Sequence, residues 1–370
     1  VMDTPVSMTI GTLMPEPTKQ YKTKSEQAGD SSPVSVARGS RHSLYAISSG
    51  RNVAPVQADV SISTPGLPTP ALAGPGKLRS SLGNVLVRSR LRALALVSPV
   101  RAAKWCVDLY CTPGAAVHAI DHRGARHCRL QVDDCELATY VWGDPSQQPY
   151  VLVAHGWSGH ALEHPALVEA LRAAGYAVVA FDQRGHGRST SGMTSLPDFV
   201  CNLLAVGWRY GRATAVIGHS LGGAAATVAL SHGLEAEHLI LIGANADPDD
   251  AIRRFARSLG MGASMHRRMA ALLEQRTGVA LDDLQAHSVA PMIGRPTLVV
   301  HDIEDKEVPW DEGERYARYL PHSQLLTTSG IAHQRLASNA AVIQACLGFL
   351  RGNKVGERIV SSLNLPYGVA

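Results

Sequence analysis

No stretch constrains this chain more than Gly218-His219-Ser220-Leu221-Gly222-Gly223. An apolar, strand-like run (Ala213 to Ile217) leads into it, and a helix-like run (Ala224 to Leu230) follows. A serine between a strand and a helix in a G-x-S-x-G setting must sit on a very sharp turn. The flanking glycines are what such a turn requires, because a Cβ at those positions would collide with neighbouring backbone. The hydroxyl of Ser220 is then presented at the mouth of a sheet, beside the Leu221 amide and the positive end of the following helix. A serine so placed is a candidate nucleophile, but only with a base in reach and an acid to orient that base.

Candidates for both lie downstream, each just past an apolar strand, where open α/β sheets gather their chemistry. The strand Pro296 to His301 runs into Asp302-Ile-Glu304-Asp305-Lys-Glu-Val308-Pro309, and the strand Gln324 to Thr328 runs into Ser329-Gly330-Ile-Ala-His333. Three carboxylates, Asp302, Glu304 and Asp305, therefore compete for the role of acid.

Four separated motifs occur in a fixed order: His155-Gly156-Trp157, Phe181-Asp-Gln-Arg-Gly-His-Gly-Arg-Ser189, the Ser220 turn, and the Asp305–His333 pair. On these motifs, residues 115–351 resemble the α/β-hydrolases. The resemblance implies Ser220 as nucleophile, His333 as general base and Asp305, at the head of Asp-x-x-Val-Pro, as the acid. It implies the backbone amides of Trp157 and Leu221 as oxyanion donors. It also puts His155, Gly156 and His219 around the substrate, His219 in a structural role. The pattern departs from the family in reading His301-Asp302 instead of His-Gly, which keeps Asp302 a rival acid, and in reading Gly-Ile-Ala-His before the base. The implied activity is hydrolysis of a small carboxylic ester through an acyl-enzyme. Thioesterase, amidase and acyltransferase chemistry would use the same triad. A binding module that keeps the fold without catalysis is the alternative of another class.

The expected architecture is α/β: a mostly parallel twisted sheet with helices on both faces and a small helical cap. Residues 111–352 form the hydrolase domain, with the cap at about 245–295. Met261, Met265, Met269, Leu272 and Leu273 of that insert suit either an adaptable pocket lining or packing of cap on body. Residues 1–76, rich in Ser, Thr, Pro, Ala and Gly, read as a disordered extension, and 353–370 as a tail. A strand-like run, Ala116 to Ile120, precedes two more at 129–132 and 136–141.

The net charge of +4 matters for where it sits. Lys77, Arg79, Arg88, Arg90, Arg92, Arg101 and Lys104 fall within one basic amphipathic helical segment, 77–110, interrupted near Pro99. Residues 77–104 are thus a candidate peripheral membrane contact, against the plainer reading of a helix packed on the body with solvated arginines. Without interleaved aromatics or a known module, nucleic acid is not an expected partner. His160 and His164 stand four apart, but no helix joins them, and the glycines of 182–188 lack a phosphate-loop lysine. No metal and no cofactor are expected. The six cysteines include no C-x-x-C, and reduced thiols are the default. No apolar run has the length of a membrane span and no signal-peptide pattern opens the sequence, so the expected location is cytoplasmic.

Overall fold

Short strands joined by helices can bury both faces of a sheet only if the strands run parallel. The computed structural model, which describes residues 82–114 and 123–358, is built this way. Two helices come first, α1 (Leu82–Val97) and α2 (Pro99–Tyr110), followed by an antiparallel pair, β1 (Arg126–Val132) and β2 (Cys135–Trp142). The alternating body comprises β3 (Tyr150–Ala154), α3 (Pro165–Ala173), β4 (Ala177–Phe181), α4 (Leu196–Tyr210), β5 (Ala213–His219), α5 (Leu221–Ser231) and β6 (Ala236–Ile242). The insert carries α6 (Pro248–Ser258), α7 (Ala263–Thr277) and the single turn α8 (Ala286–Val289). The chain then completes β7 (Thr297–Asp302), α9 (Trp310–Tyr319), β8 (Ser323–Thr328) and α10 (Ala340–Leu350). The eight strands lie in the order β1-β2-β4-β3-β5-β6-β7-β8, and every pair from β4 to β8 is parallel.

Side chains alternate across a strand, so each central strand feeds two cores. Leu152, Val179, Val216, Leu241 and Val299 point toward Phe199, Leu203, Ala225 and Tyr316 of α4, α5 and α9. Their neighbours Val151, Val153, Val178, Ile217, Ile240 and Val300 point the other way, toward Leu167, Leu171, Val342 and Cys346 of α3 and α10. The central strands β3 and β4 are buried along their whole length, which is why they read as unbroken apolar runs.

The basic segment is two helices, broken at Ser98-Pro99, where the proline has no N–H to donate and stands at the first helical position. Leu91, Ala102, Ala103, Cys106 and Val107 of this pair bury against Ile252, Ala256, Met265 and Met269 of α6 and α7 in a third core, separate from the two on the sheet. Met261, Met265 and Met269 of the insert therefore face the N-terminal helices, which accounts for their burial (Met269 is fully buried). The other side of α1 and α2 exposes Val85, Leu86, Leu96, Val97 and Val100 beside Arg90, Arg92, Arg101 and Lys104.

At the far end, Glu357 exchanges both backbone hydrogen bonds with Leu325 on the outer edge of β8, at 2.7 and 2.9 Å, so the start of the segment read as a tail is paired. The strand-like run at 116–120, the extension at 1–76 and residues 359–370 lie outside the described residues. All six cysteines are free thiols. Among the described residues no helix is long and apolar enough to cross a membrane.

If the third core holds the N-terminal helices to the cap, Met269→Ala will lower stability by about 2–5 kcal/mol. Limited proteolysis of the variant will then cut first within residues 82–110. An unchanged thermal midpoint with uncut helices would refute this packing.

Candidate active site

The site residues follow the C-terminal ends of the parallel strands: His155 to Trp157 after β3, Asp182 after β4, Ser220 after β5, Asp305 after β7 and His333 after β8. Ser220 has φ +53° and ψ −122°, a region that non-glycine residues seldom occupy. Its amide donates to the Ile242 carbonyl at 2.9 Å, tying the turn to the neighbouring strand. The turn fits only because of its glycines. A Cβ on Gly218 would stand 2.5 Å from the Gly223 Cα, and one on Gly222 would stand 2.4 Å from the Ala154 carbonyl oxygen. Gly156 serves the same contact from the opposite side, since a Cβ there would come within 2.9 Å of the Ser220 Cβ.

The structure separates the rival carboxylates. Asp305 Oδ2 accepts a hydrogen bond from His333 Nδ1 at 2.6 Å, while Oδ1 accepts from the amides of Glu307 and Val308 at 2.8 and 3.0 Å. Burial works against the Asp305 carboxylate, but His333 and these amides outweigh it and hold its pKa below the ordinary value. Asp302 faces elsewhere: it accepts from Thr328 Oγ1, the Ile331 amide and the Glu304 amide, and so braces the turn that carries His333. Glu304 accepts from Ser329 Oγ at 2.9 Å, near the surface.

Ser220 and His333 open onto one cavity of about 280 Å³, together with Trp157 and Leu221. This is near the lower end of the ~300–1,000 Å³ typical of small-molecule sites. Its walls are mainly apolar, with Ile252, Phe255, Leu273 and Leu284 from the insert and Val308 from the body. Leu221 is the first residue of α5, so its amide has no acceptor within the helix. The Trp157 ring stacks on Phe199 at 6.2 Å between centroids and presents its other side to the cavity.

Two residues of the cavity carried no signal in the sequence. Tyr110, the last residue of α2, lines it and packs edge-on against Phe255 of α6, 5.2 Å between centroids. Arg254 lines it too, held by Glu312 at 2.8 Å and by Asp250. Buried Glu312 also accepts from the Ala246 and Asp247 amides at 2.7 and 2.8 Å, which fastens the entry of the cap to α9.

His155, Gly156 and His219, expected around the substrate, lie beside the cavity and are not among the residues that line it. His155 is buried and turned back: its Nδ1 donates to the Gly156 carbonyl and its Nε2 accepts from the Gln183 amide. His219 Nε2 donates to the His333 carbonyl at 3.1 Å from behind. The loop at 182–188 shapes the site from outside. Asp182 accepts from the Ala161 and Arg188 amides, and His186 Nε2 accepts from the Ser158 amide at 3.0 Å.

A family model described as the alpha/beta hydrolase family matches residues 150–343. The chain belongs to that family. Several solved structures are similar in fold. An esterase from Thermogutta terrifontis is 22% identical with TM-score 0.47, over 62% of this chain and 99% of that one. The thioesterase domain from the curacin biosynthetic pathway is 18% identical with TM-score 0.47, over 62% and 100%. A bromoperoxidase from Bacillus anthracis is 17% identical with TM-score 0.47, over 62% and 100%. Each is a likeness of fold, and none carries its activity to this α/β-hydrolase.

Burial, reinforced by the neighbouring histidines, holds the imidazoles of His186 and His219 down to about 3. In the unfolded chain they titrate near 6.5. Between these values the unfolded chain takes up protons that the folded chain refuses, so stability falls as the pH drops. The unfolding free energy from urea titration is expected to fall between pH 7 and pH 5, by about 2 kcal/mol for each histidine. His186→Gln should flatten that dependence; an equally steep fall in the variant would contradict it.

Proposed function

We propose that this α/β-hydrolase is a serine hydrolase that cleaves a small carboxylic ester through an acyl-enzyme. The observation that carries the reading is the 2.6 Å hydrogen bond from His333 Nδ1 to buried Asp305. With Nδ1 carrying its proton toward the carboxylate, the neutral ring has its lone pair on Nε2 and can act as a base. Ser220, on its strained turn, shares the cavity with that ring.

In this reading, Ser220 Oγ attacks the carbonyl carbon while His333 Nε2 takes the hydroxyl proton. Asp305 holds the ring in place and stabilises the imidazolium that forms. The amides of Trp157 and Leu221 donate to the oxyanion, an interaction worth about 3 kcal/mol of barrier for each donor. His333 returns the proton to the departing alcohol. Water, activated by the same imidazole, then releases the acid and frees Ser220. The apolar walls from α6 and α7 suit an acyl chain. Thioesters and amides differ only in the atom that leaves, so the same residues would serve them.

A fluorophosphonate probe should label Ser220 in the native chain and leave Ser220→Ala unlabelled. With p-nitrophenyl esters, Asp305→Asn should lose about 10³–10⁴-fold in kcat, whereas Asp302→Asn should act mainly on stability. Thioester and anilide substrates run beside the esters rank the leaving groups. Failure of folded native chain to label or turn over any of them would favour the binding module.

We also propose that the outer face of α1 and α2 meets an anionic membrane surface. Leu96 and Val97 are 88% and 86% exposed beside a row of basic side chains, an arrangement suited to the headgroup boundary. Vesicles rich in phosphatidylserine should sediment the chain, and neutral vesicles should not. The double variant Leu96→Asp, Val97→Asp should stay in the supernatant; equal sedimentation of variant and native chain would overturn the idea.

A further inference from the structure

Behind the cavity, where β5 ends and α3 begins, three buried polar atoms converge without a hydrogen-bond partner: Glu163 Oε1, His164 Nε2 and His219 Nδ1. They lie within 4.8 Å of one another, and among the described residues no other group of three His, Cys, Asp or Glu side chains is so arranged. The cluster takes no part in the proposed ester chemistry.

The hydrogen bonds around it turn one nitrogen of each ring to the cluster. His219 Nε2 faces the His333 carbonyl at 3.1 Å. A carbonyl only accepts, so Nε2 carries the proton and Nδ1 presents a lone pair. His164 Nδ1 meets the Ser338 hydroxyl at 3.3 Å, so its Nε2 faces the cluster. Glu163 Oε1 stands 3.1 Å from His164 Nε2, an ion-pair contact that a metal seated between them would replace. The other carboxylate oxygen accepts from the His160 amide at 3.3 Å. Each histidine thus has its outer nitrogen held by a hydrogen-bond partner and its inner nitrogen turned to the cluster, the arrangement by which metal-binding histidines are oriented.

We propose that Glu163 Oε1, His164 Nε2 and His219 Nδ1 form a structural site for a divalent transition-metal ion of the zinc type, with water as the fourth ligand. Two imidazoles and one carboxylate suit zinc, whereas magnesium and calcium take all-oxygen shells. Tetrahedral zinc with bonds near 2.0–2.1 Å sets its ligands ~3.4 Å apart, so the cluster, within 4.8 Å, must draw in by up to ~1.4 Å at its widest. Glu163, the most exposed of the three, is the side chain free to do this and marks the side open to solvent. The ion would join the entry of α3 to the strand end before Ser220. Through His219, it would also stiffen the turn that carries His333.

The test reads metal binding and is independent of turnover, so it stands or falls apart from the reading of Ser220. Full-length chain is stripped with a chelator and titrated with zinc by calorimetry, and in parallel with cobalt(II), whose visible ligand-field bands report tetrahedral nitrogen and oxygen ligation. One equivalent of zinc, an intense cobalt band and a raised thermal midpoint are expected, with magnesium inert. Glu163→Gln and His164→Gln, checked for folding by circular dichroism, should each weaken binding by on the order of a thousandfold, beyond the ~10–100-fold cost of outer-sphere changes. His322→Gln, on an exposed histidine, should bind as the native chain does. No cobalt band and no zinc uptake by the native chain would overturn the proposal. So would undiminished uptake by the Glu163→Gln, His164→Gln double variant.

Discussion

The site rests on one close approach, between the turn after β5 and the end of β3. Gly222 lies against the carbonyls of Ala154 and His155, and Gly156 lies against Ser220. The chain segments can come this near only because the residue on one side of each contact lacks a side chain, so the glycines on both loops meet a single steric requirement twice. The approach fixes the strained dihedrals of Ser220 and brings the β3 loop beside the first amide of α5. Strain of this kind persists only where the surroundings over-determine it. Here a buried parallel sheet, closed on both faces, supplies that rigidity.

Much of this was legible in the residues because the signals were local. The strand-turn-helix pattern about Ser220, the apolar runs of β3 to β8, and the insert between β6 and β7 all appear at the expected places. The choice of Asp305 over Asp302 needed coordinates. Both follow the same strand, and only the path of the turn decides which carboxylate meets the imidazole. His155 and His219 were placed around the substrate by resemblance, which does not say where a ring turns: His155 meets Gly156 and Gln183, and His219 meets His333. The Glu163, His164, His219 cluster was hidden for a related reason: its third member is remote in sequence, so spacing along the chain, which drew attention to His160 with His164, could not reveal it.

The N-terminal helices show where pattern reading ran out altogether. An amphipathic segment announces an apolar face without naming what will cover it. Met261, Met265 and Met269, just before and within α7, likewise announced burial without a partner. The structure joins the two sets of residues, and that union accounts for the apolar stripe on each. It also explains why Tyr110, unremarkable in the sequence, reaches the cavity beside Phe255.

That reach has a consequence for how such chains diversify. The wall formed by Tyr110 belongs to a segment upstream of residues 150–343, the stretch shared with the family. Two homologues identical throughout the shared stretch would still differ in the ligands they admit if their leading helices differed. Selection could then retune molecular preference by exchanging a peripheral module while the reactive centre stayed untouched.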